Sequence, residues 1–297
     1  MPTLSQPGLR IGSRCEANRQ VYTPHIDASF DARFTHRDAP PNHLSLMSRP
    51  PTGSDVVDPA EVPSSSAGEA LLDSPILNAL RTDHSLLAIA QGHARRYPGP
   101  IGPLAGAPDQ SKASYDALRE LAGPGGMIGL FLHDPPALPA NWSLFRGGIL
   151  TQMICRTTSL DSAGALDPSA NVRRLKSTDV PAMMELAKLT EPGPFRERTF
   201  ELGNFYGIFT DEKLLAMAGQ RMRVPGYVEV SAVCTHPEAR GRGFAAGVMR
   251  EVMRDIAVEG RVPFLHAFDD NPAVRLYQKL GFTRRRSFHL AVIRNDE

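Results

Sequence analysis

Four residues in the C-terminal half, Arg240, Gly241, Arg242 and Gly243, alternate a cationic side chain with no side chain. They stand between a stretch of β-strand character and one with helical periodicity. Glycine lets the backbone approach a ligand, and a helix N-terminus adds unpaired N–H donors and a partial positive charge. With two arginines, such a turn favours an anion, most naturally phosphate. The alternative is a simple surface turn, because so short a pattern is common.

Composition narrows the class of protein. The chain has 297 residues, of which 41% are hydrophobic, and a formal net charge of +1, which does not favour nucleic-acid binding. Cys15, Cys155 and Cys234 are far apart and odd in number, so they predict neither a disulfide framework nor a metal site. A reducing cytoplasm is the simplest compartment. No stretch has the apolar length of a membrane span, and the N-terminus lacks a signal-peptide core.

The chain divides by composition into four parts. Residues 1–70 are rich in proline and serine without a sustained period, which predicts a disordered extension. Within this part, Met47 is an alternative start that would leave residues 1–46 untranslated. Residues 71–156 read as a small α/β unit, and residues 157–170, small and polar, read as a linker. Residues 171–297 have the clearest pattern.

In the first unit, Asp73 or Ser74 is expected to cap a helix that has Pro75 at its first position. A second helix is expected in "SKASYDALRELAG", ending at the Gly-Pro-Gly-Gly run. Three strands are expected, in "MIGLFLHD", "WSLFRGG" and "ILTQMIC". This unit contains no catalytic motif.

The last part predicts a strand in "VRRL", a helix in "KSTDVPAMMELAKLT", and an antiparallel meander of "FYGIFT", "KLLAMAGQRMRV" and "YVEVSAVCT". An amphipathic helix should follow the Arg-Gly turn. A strand in "VPFLHAF", a helix capped by Asn271 and stopped by Gly281, and a strand in "FHLAVI" complete the chain. The predicted fold class is mixed α/β, with a mostly antiparallel central sheet flanked by helices and preceded by the smaller unit.

A meander followed by R-x-x-G-x-A (residues 240–245), a helix, a strand and then "NPAVRLYQKLGF" resembles the GNAT superfamily of acetyl-coenzyme A-dependent N-acetyltransferases. The resemblance covers about the last 127 residues, 171–297, and rests on both motifs occurring in order. The unit at residues 71–156 resembles an incomplete copy of the same fold without the R-x-x-G-x-G/A signature. The resemblance implies acetyl-CoA as cosubstrate and no metal.

The resemblance also implies a set of coenzyme-binding residues. The pantetheine arm would pair with backbone at Val233, Cys234 and Thr235. The pyrophosphate would lie on the loop and helix start formed by Arg240, Gly241, Arg242, Gly243, Phe244, Ala245 and Ala246. Asn271 would be a polar residue facing the coenzyme, although it lies six residues before Tyr277 where many members have seven.

Two residues carry the chemistry in this reading. Tyr277 would protonate the leaving thiolate; its alternative is a core residue in a stripe with Val274 and Leu280. An alkylamine with a pKa of about 10.4 is mostly protonated at neutral pH, so a base is useful. Glu229, on the strand leading to the turn, is the candidate base, and a carboxylate on a solvated strand face is its alternative. His266 is a second candidate, with a hydrogen-bonded core histidine as the alternative.

Two other functions remain open from sequence. Gly241-x-Gly243-x-x-Ala246 also fits a dinucleotide fingerprint, with Asp269 or Asp270 as ribose partner, but the preceding strands are predicted to be antiparallel. A non-catalytic acetyl-CoA sensor is the second alternative. For an enzyme, the partner is an amine acceptor, either a small molecule, an amino acid or a peptide N-terminus; no nucleic acid or membrane is expected as a partner.

Overall fold

The computed structural model describes residues 66–157 and 171–297. Within those ranges the α-helices are α1 (Ser66–Glu69), α2 (Pro75–Arg81), α3 (Lys112–Ala122), α4 (Val180–Thr190), α5 (Phe244–Val258) and α6 (Val274–Lys279). The strands are β1 (Ile89–Gln91), β2 (Ala94–Arg96), β3 (Ala105–Gly106), β4 (Met127–Leu132), β5 (Trp142–Cys155), β6 (Val172–Arg174), β7 (Phe205–Thr210), β8 (Lys213–Val224), β9 (Tyr227–Thr235), β10 (Val262–Phe268) and β11 (Phe282–Asn295). Most of the predicted N-terminal extension and linker lies outside the described residues.

The main sheet has eight strands in the order β4-β11-β5-β10-β9-β8-β7-β6. Strands β9 and β10 pair in parallel, and the other neighbours in this sheet pair antiparallel. The smaller sheet consists of β1, β2 and β3, also antiparallel. The predicted mixed, mostly antiparallel sheet with flanking helices is therefore confirmed.

The same order of elements occurs twice in the described residues. A three-strand meander, a helix and two further strands run from β1 through α3 to β5, and again from β7 through α5 to β11. The last strand of each copy is exchanged between them: β5 lies between β10 and β11, and β11 lies between β5 and β4. Each half therefore completes the sheet of the other.

Alternate side chains of the strands enter two cores on opposite faces of the sheet, as the period of two requires. Val228 and Leu265 pack with α5 and α6 on one face. Tyr227 and Phe264 pack on the other face against α2 and the segment that contains Tyr97. Helix α5 packs through its predicted apolar stripe, in which Ala245 is half-buried and the remaining members are buried: Val248, Met249, Val252, Met253 and Ile256.

Several predicted elements differ from the observed ones. The two strands predicted on either side of Gly148 are one continuous strand, β5. The Phe268 ring lies over Gly148 so closely that a Cβ there would be 2.7 Å from ring carbon Cε1, so this glycine serves packing and not a turn. Strand β11 is longer than "FHLAVI", because its pairing with β5 begins at Phe282 and continues past a register shift between Arg284 and Arg286. Strands β1, β2 and β3 were not predicted, since each has three residues or fewer.

All described residues fall in one compact unit. The predicted boundaries between the first unit, the linker and the C-terminal part stay a prediction, but strands from both sides of the linker are hydrogen-bonded in one sheet. The antiparallel pairing of β7, β8 and β9 is incompatible with the dinucleotide-binding alternative, which needs parallel strands. Among the described residues, helices long and apolar enough to cross a bilayer do not occur.

The exchange of strands predicts the behaviour of the isolated C-terminal part. A fragment of residues 171–297 lacks β5, which leaves the facing edges of β10 and β11 unpaired and uncovers their apolar side chains. We expect it to be insoluble or to unfold without cooperativity, whereas co-expression with residues 66–157 should restore a soluble complex. Soluble yield, size-exclusion chromatography and urea unfolding test this. A monomeric fragment 171–297 that unfolds cooperatively would contradict it.

Candidate active site

Strands β9 and β10 form a gap that opens toward their C-terminal ends. They pair at three positions only within the described chain, the last being Glu229 with Phe264. Beyond it β9 runs on to Thr235 and β10 to Phe268 without pairing with each other. A bulge at Ala232, with φ of 52°, interrupts the register with β8 at this point. Bulges bend a strand and redirect its side chains, so the bulge helps to separate β9 from β10.

The predicted backbone-pairing residues Val233, Cys234 and Thr235 lie on the diverging part of β9. The Thr235 hydroxyl is buried and has no hydrogen-bond partner within the described residues. A buried hydroxyl in this state indicates a missing polar ligand or water. Burial raises the pKa of the Cys234 thiol to about 11, so the thiol is protonated at neutral pH and is unsuited to act as a nucleophile.

The turn that follows β9 has the backbone geometry of an anion site. Gly241 and Gly243 have φ of 80° and 78°, and a Cβ at Gly241 would meet open space. Helix α5 begins at Phe244 without a side-chain cap, which leaves its first N–H groups directed at the turn. Helix residues Ala245 and Ala246 carry the next two of these N–H groups and add little bulk.

The two arginines of the turn are exposed. Arg240 is on the surface, and the Arg242 guanidinium lies 4.5 Å from the centre of the Phe244 ring. A small-residue cradle, uncapped N–H groups and two cations fit a pyrophosphate. Within the described residues, no cluster of three or more side chains is arranged to hold a metal ion.

Tyr277, on α6, is buried with 6% of its surface exposed and packs edge-on against Phe282. Burial raises the pKa of its phenol to about 12, and the Cys234 thiol acts in the same direction. Tyr277 packs in the same core as Val228 of β9 and Leu265 of β10. The phenol is protonated at neutral pH and can serve as a proton donor.

Asn271 makes a local contact in the turn before α6. Its side-chain oxygen accepts a hydrogen bond from the Ala273 N–H at 2.9 Å. The helix begins at Val274, two residues later than the predicted start at Pro272. This Asx-type turn replaces the predicted helix cap. Its oxygen therefore shapes the turn.

Glu229 is fully buried and paired, which is not the solvated carboxylate that the sequence left as the alternative. Arg221 donates two hydrogen bonds of 2.6 Å to its carboxylate, and His266 Nδ1 lies 2.7 Å from it. Burial alone would raise the pKa of Glu229, but the charge and hydrogen bonds of Arg221, with His266, hold it near 2. Such a carboxylate is a weak base.

The protonation of His266 follows from its neighbours. Arg285 can only donate, so its hydrogen bond of 2.8 Å fixes the oxygen of the Gln152 amide. The Gln152 NH₂ group then donates to the Leu72 carbonyl at 3.0 Å and faces His266 Nε2 at 3.0 Å. His266 therefore accepts at Nε2 and donates from Nδ1 to Glu229. Burial lowers the pKa of His266, which keeps the ring neutral.

Sequence reasoning missed Arg221, Gln152 and Arg285. The polar contacts that run from Arg221 through Glu229, His266 and Gln152 to Arg285 are called the polar ladder below. Arg285 extends this ladder to Glu69 and Asp73 in the N-terminal half. An argument from periodicity treats a polar residue in a strand as facing solvent. Only the register between strands that are distant in sequence shows that the polar side chains of this network face each other. One weak indication of burial was present in the sequence, because Gln152 lies among hydrophobic residues on β5.

Breaking the ladder at Glu229 should destabilise the fold. Glu229→Gln leaves Arg221 buried without a counter-ion, so we expect the free energy of unfolding at pH 7 to fall by about 3–5 kcal/mol. The folded pKa of about 2 lies below the reference value of 4.5, so the contribution is present above pH 4.5 and lost as pH falls toward 2. The difference between wild type and variant should shrink in that window.

Urea unfolding at pH 7 and pH 3 measures this difference. The control is Glu201→Gln, because Glu201 pairs with Arg198 at the surface, with side chains 43% and 47% exposed. Glu201→Gln should lower the free energy of unfolding by less than about 1 kcal/mol at both pH values. Equal stability of Glu229→Gln and wild type at pH 7 would disprove the structural importance of the pair.

Comparisons with known proteins agree with this geometry. The family model described as FR47-like protein matches residues 205–290. A solved structure from Novosphingobium aromaticivorans DSM 12444, assigned to the acetyltransferases of the GNAT family, is 40% identical, with 75% of this chain and 97% of that chain covered and a TM-score of 0.67. A GCN5-related N-acetyltransferase from Kribbella flavida shares the fold at 14% identity, 75% and 95% coverage and a TM-score of 0.53. A search of curated proteins gives no significant match. The identity and coverage of the first structure show that this chain belongs to the GNAT family, which makes it an acyltransferase.

Proposed function

We propose that the protein transfers the acetyl group of acetyl-CoA to a primary amine by direct attack. The observation that carries this proposal is the gap between β9 and β10, which opens directly onto the uncapped N-terminus of α5 at the Arg-Gly turn. The coenzyme supplies a thioester, whose carbonyl carbon is the electrophile. A long, phosphate-bearing cosubstrate needs both a channel for its arm and an anion site at the channel end, and the gap and the uncapped turn support this proposal.

Binding is assigned to two groups of residues. Backbone groups of Val233, Cys234 and Thr235 hold the extended arm, and the Thr235 hydroxyl gains the partner that it lacks. The N–H groups after Gly243, with Arg240 and Arg242, hold the pyrophosphate. We retain Asn271 as a contact through its NH₂ group, since its oxygen is engaged in the turn.

Tyr277 is proposed as the proton donor. When the amine nitrogen bonds to the carbonyl carbon, the carbon–sulfur bond breaks and the sulfur leaves with the electron pair. The Tyr277 hydroxyl carries its proton at neutral pH, because burial raises its pKa to about 12. It can therefore give that proton to the sulfur, while the amine nitrogen loses one of its own.

The two residues expected as candidate bases, Glu229 and His266, are both engaged in hydrogen bonds. The carboxylate of Glu229 has two hydrogen bonds from Arg221, and His266 Nε2 is engaged by Gln152. Both arrangements oppose direct proton abstraction, so we propose that these residues support β9 and β10. Water then accepts the proton that the amine loses. The hypothesis that Glu229 is the base stays testable. If Glu229 takes the proton, the loss of turnover in Glu229→Gln should become smaller as pH approaches the pKa of the amine.

The acceptor is proposed to be a primary amine of a small molecule, an amino acid or a peptide N-terminus. A panel of such amines with acetyl-CoA, followed by mass spectrometry of the products, identifies the class. Binding of acetyl-CoA without acetylation of any amine would support the sensor alternative instead.

A substitution at Gly243 tests whether the turn binds the coenzyme. Gly243→Glu places a carboxylate beside the phosphates, so we expect binding of acetyl-CoA to weaken by at least about 100-fold. Gly226→Glu is the matched control, because Gly226 also has positive φ, 82°, but lies in the turn between β8 and β9. Calorimetry measures affinity, and circular dichroism checks the fold. Unchanged affinity in folded Gly243→Glu would remove the coenzyme assignment.

A substitution at Tyr277 separates chemistry from binding. Tyr277→Phe keeps the ring packed against Phe282 but removes the hydroxyl, so coenzyme affinity and stability should change little. We expect kcat to fall by roughly 100-fold, the scale of a lost general acid. Single-turnover rates with a fixed amine test this. Normal turnover by the variant would exclude Tyr277 as the acid.

A further inference from the structure

A side-chain hydrogen bond joins β9 to β10 at the base of the gap. The last backbone pair between these strands is Glu229 with Phe264. Two residues further along β10, His266 Nδ1 lies 2.7 Å from the Glu229 carboxylate, and both side chains are buried. This bond joins the strands where their backbone pairing has ended. The separation of β9 and β10 at the start of the gap therefore depends on how His266 is held.

A bulge in β11 directs Arg285 toward the polar ladder. Arg284 and Arg286 pair with consecutive residues of β5, so Arg285 is the extra residue between them. Bulges of this kind bend a strand and redirect a side chain. The Arg285 side chain is mostly buried, and its Nη1 donates to the Gln152 oxygen at 2.8 Å. Because Gln152 faces His266 Nε2, Arg285 fixes the amide that donates to His266.

The other donors of Arg285 hold residues 69–73 of the N-terminal half. Its Nε atom donates to Glu69 Oε1 at 2.8 Å. Its Nη2 atom donates to the Glu69 carbonyl at 3.0 Å and to Asp73 Oδ1 at 2.6 Å. A planar guanidinium can make all of these bonds at once, whereas a lysine ammonium is a single point charge.

The same five residues also pack beneath the two strands that form the gap. Leu72 is fully buried in one core cluster with Tyr227 of β9 and Phe264 of β10. The Leu72 carbonyl accepts a hydrogen bond of 3.0 Å from the Gln152 NH₂ group. Gln152 thus contacts residues 69–73, Arg285 and His266 at the same time.

We propose that Arg285 is a positioning residue for the coenzyme site, because it connects the docking of residues 69–73 to the hydrogen bond between His266 and Glu229. Without Arg285, the Gln152 oxygen loses its partner, and the amide that donates to His266 is no longer fixed. Strands β9 and β10 then vary in separation at the base of the gap, which weakens the binding of coenzyme A. The inference rests on the proposed coenzyme site, but the effect on His266 does not require bound coenzyme.

Arg285→Met tests the inference with little disturbance of the surrounding ion pairs. Glu69 keeps Arg156 at 2.6 Å, and Asp73 keeps Arg286 at 2.7 Å, so each carboxylate retains a cation. We expect the affinity for coenzyme A, measured by calorimetry with the full-length protein, to fall by at least about tenfold.

NMR of the imidazole nitrogens separates positioning from stability. In the wild type, His266 Nε2 accepts from Gln152, so it should give the signal of an unprotonated, hydrogen-bonded nitrogen. In Arg285→Met, without coenzyme, that signal should shift because the Gln152 amide is no longer fixed. A loss of stability alone would leave the signal of the folded protein in place.

A double variant leaves the buried part of the ladder unchanged. Glu69→Ala with Asp73→Ala removes the carboxylates that Arg285 binds, and both are partly exposed, so the protein should fold. It should show the same loss of affinity and the same shift of the His266 signal. Its matched control is Asp179→Ala with Glu201→Ala, which removes two carboxylates that pair with arginines outside the ladder. The control should bind coenzyme A as the wild type does.

The two measurements distinguish a failure of this inference from a failure of the proposed function. Unchanged affinity for coenzyme A, or an unchanged His266 signal, in folded Arg285→Met would overturn the positioning role. An equal loss of affinity in the control would overturn it as well. If the wild type does not bind coenzyme A, the proposed function fails and this inference fails with it. Circular dichroism checks folding, and if Arg285→Met is unfolded, the double variant at Glu69 and Asp73 decides by the same measurements.

Discussion

An ionised carboxylate buried in the middle of the sheet sets the conditions that the surrounding structure has to meet. Glu229 has no exposed surface, so its charge must be compensated inside the protein. Arg221 supplies the charge and His266 a further donor, which requires β8, β9 and β10 to keep their register. His266 in turn needs a donor at Nε2, and Gln152 supplies it from β5. Gln152 is oriented by Arg285 on β11, so five neighbouring strands are linked.

The same interactions tie the N-terminal segment to the region of the candidate active site. Arg285 bonds to Glu69 and Asp73, and Gln152 bonds to the Leu72 carbonyl. Replacing such a ladder by apolar residues can be neutral for stability, but removing one member leaves a charge unpaired. The ladder therefore serves alignment more than net stability, since a shift of one strand would separate the pairs that this strand makes with its neighbours.

The sequence predicted those parts whose signals are local. The C-terminal meander, the turn at Gly241 and Gly243 and the apolar stripe of α5 depend on residues within a few positions of each other, and all were confirmed. The surroundings of Glu229 were not predictable, because Arg221 lies eight residues away across a hairpin and His266 lies 37 residues away. The exchange of β5 and β11 was also missed, because an antiparallel strand has the same pattern whichever neighbour it joins. Coenzyme contacts and the role of Tyr277 stay predictions.

The exchanged strands have a consequence for how the chain folds as it is synthesised. Strand β4 pairs in the main sheet with β11, which lies far along the chain, so β4 has no main-sheet neighbour until β11 has left the ribosome. Sheets with such distant pairings form slowly, because the entropy of closing a long loop is lost before the contacts are gained. During that delay the apolar strands of the first half are open to association with other chains. The nascent protein is therefore expected to depend on chaperones or on rapid release more than a protein whose halves fold one after the other.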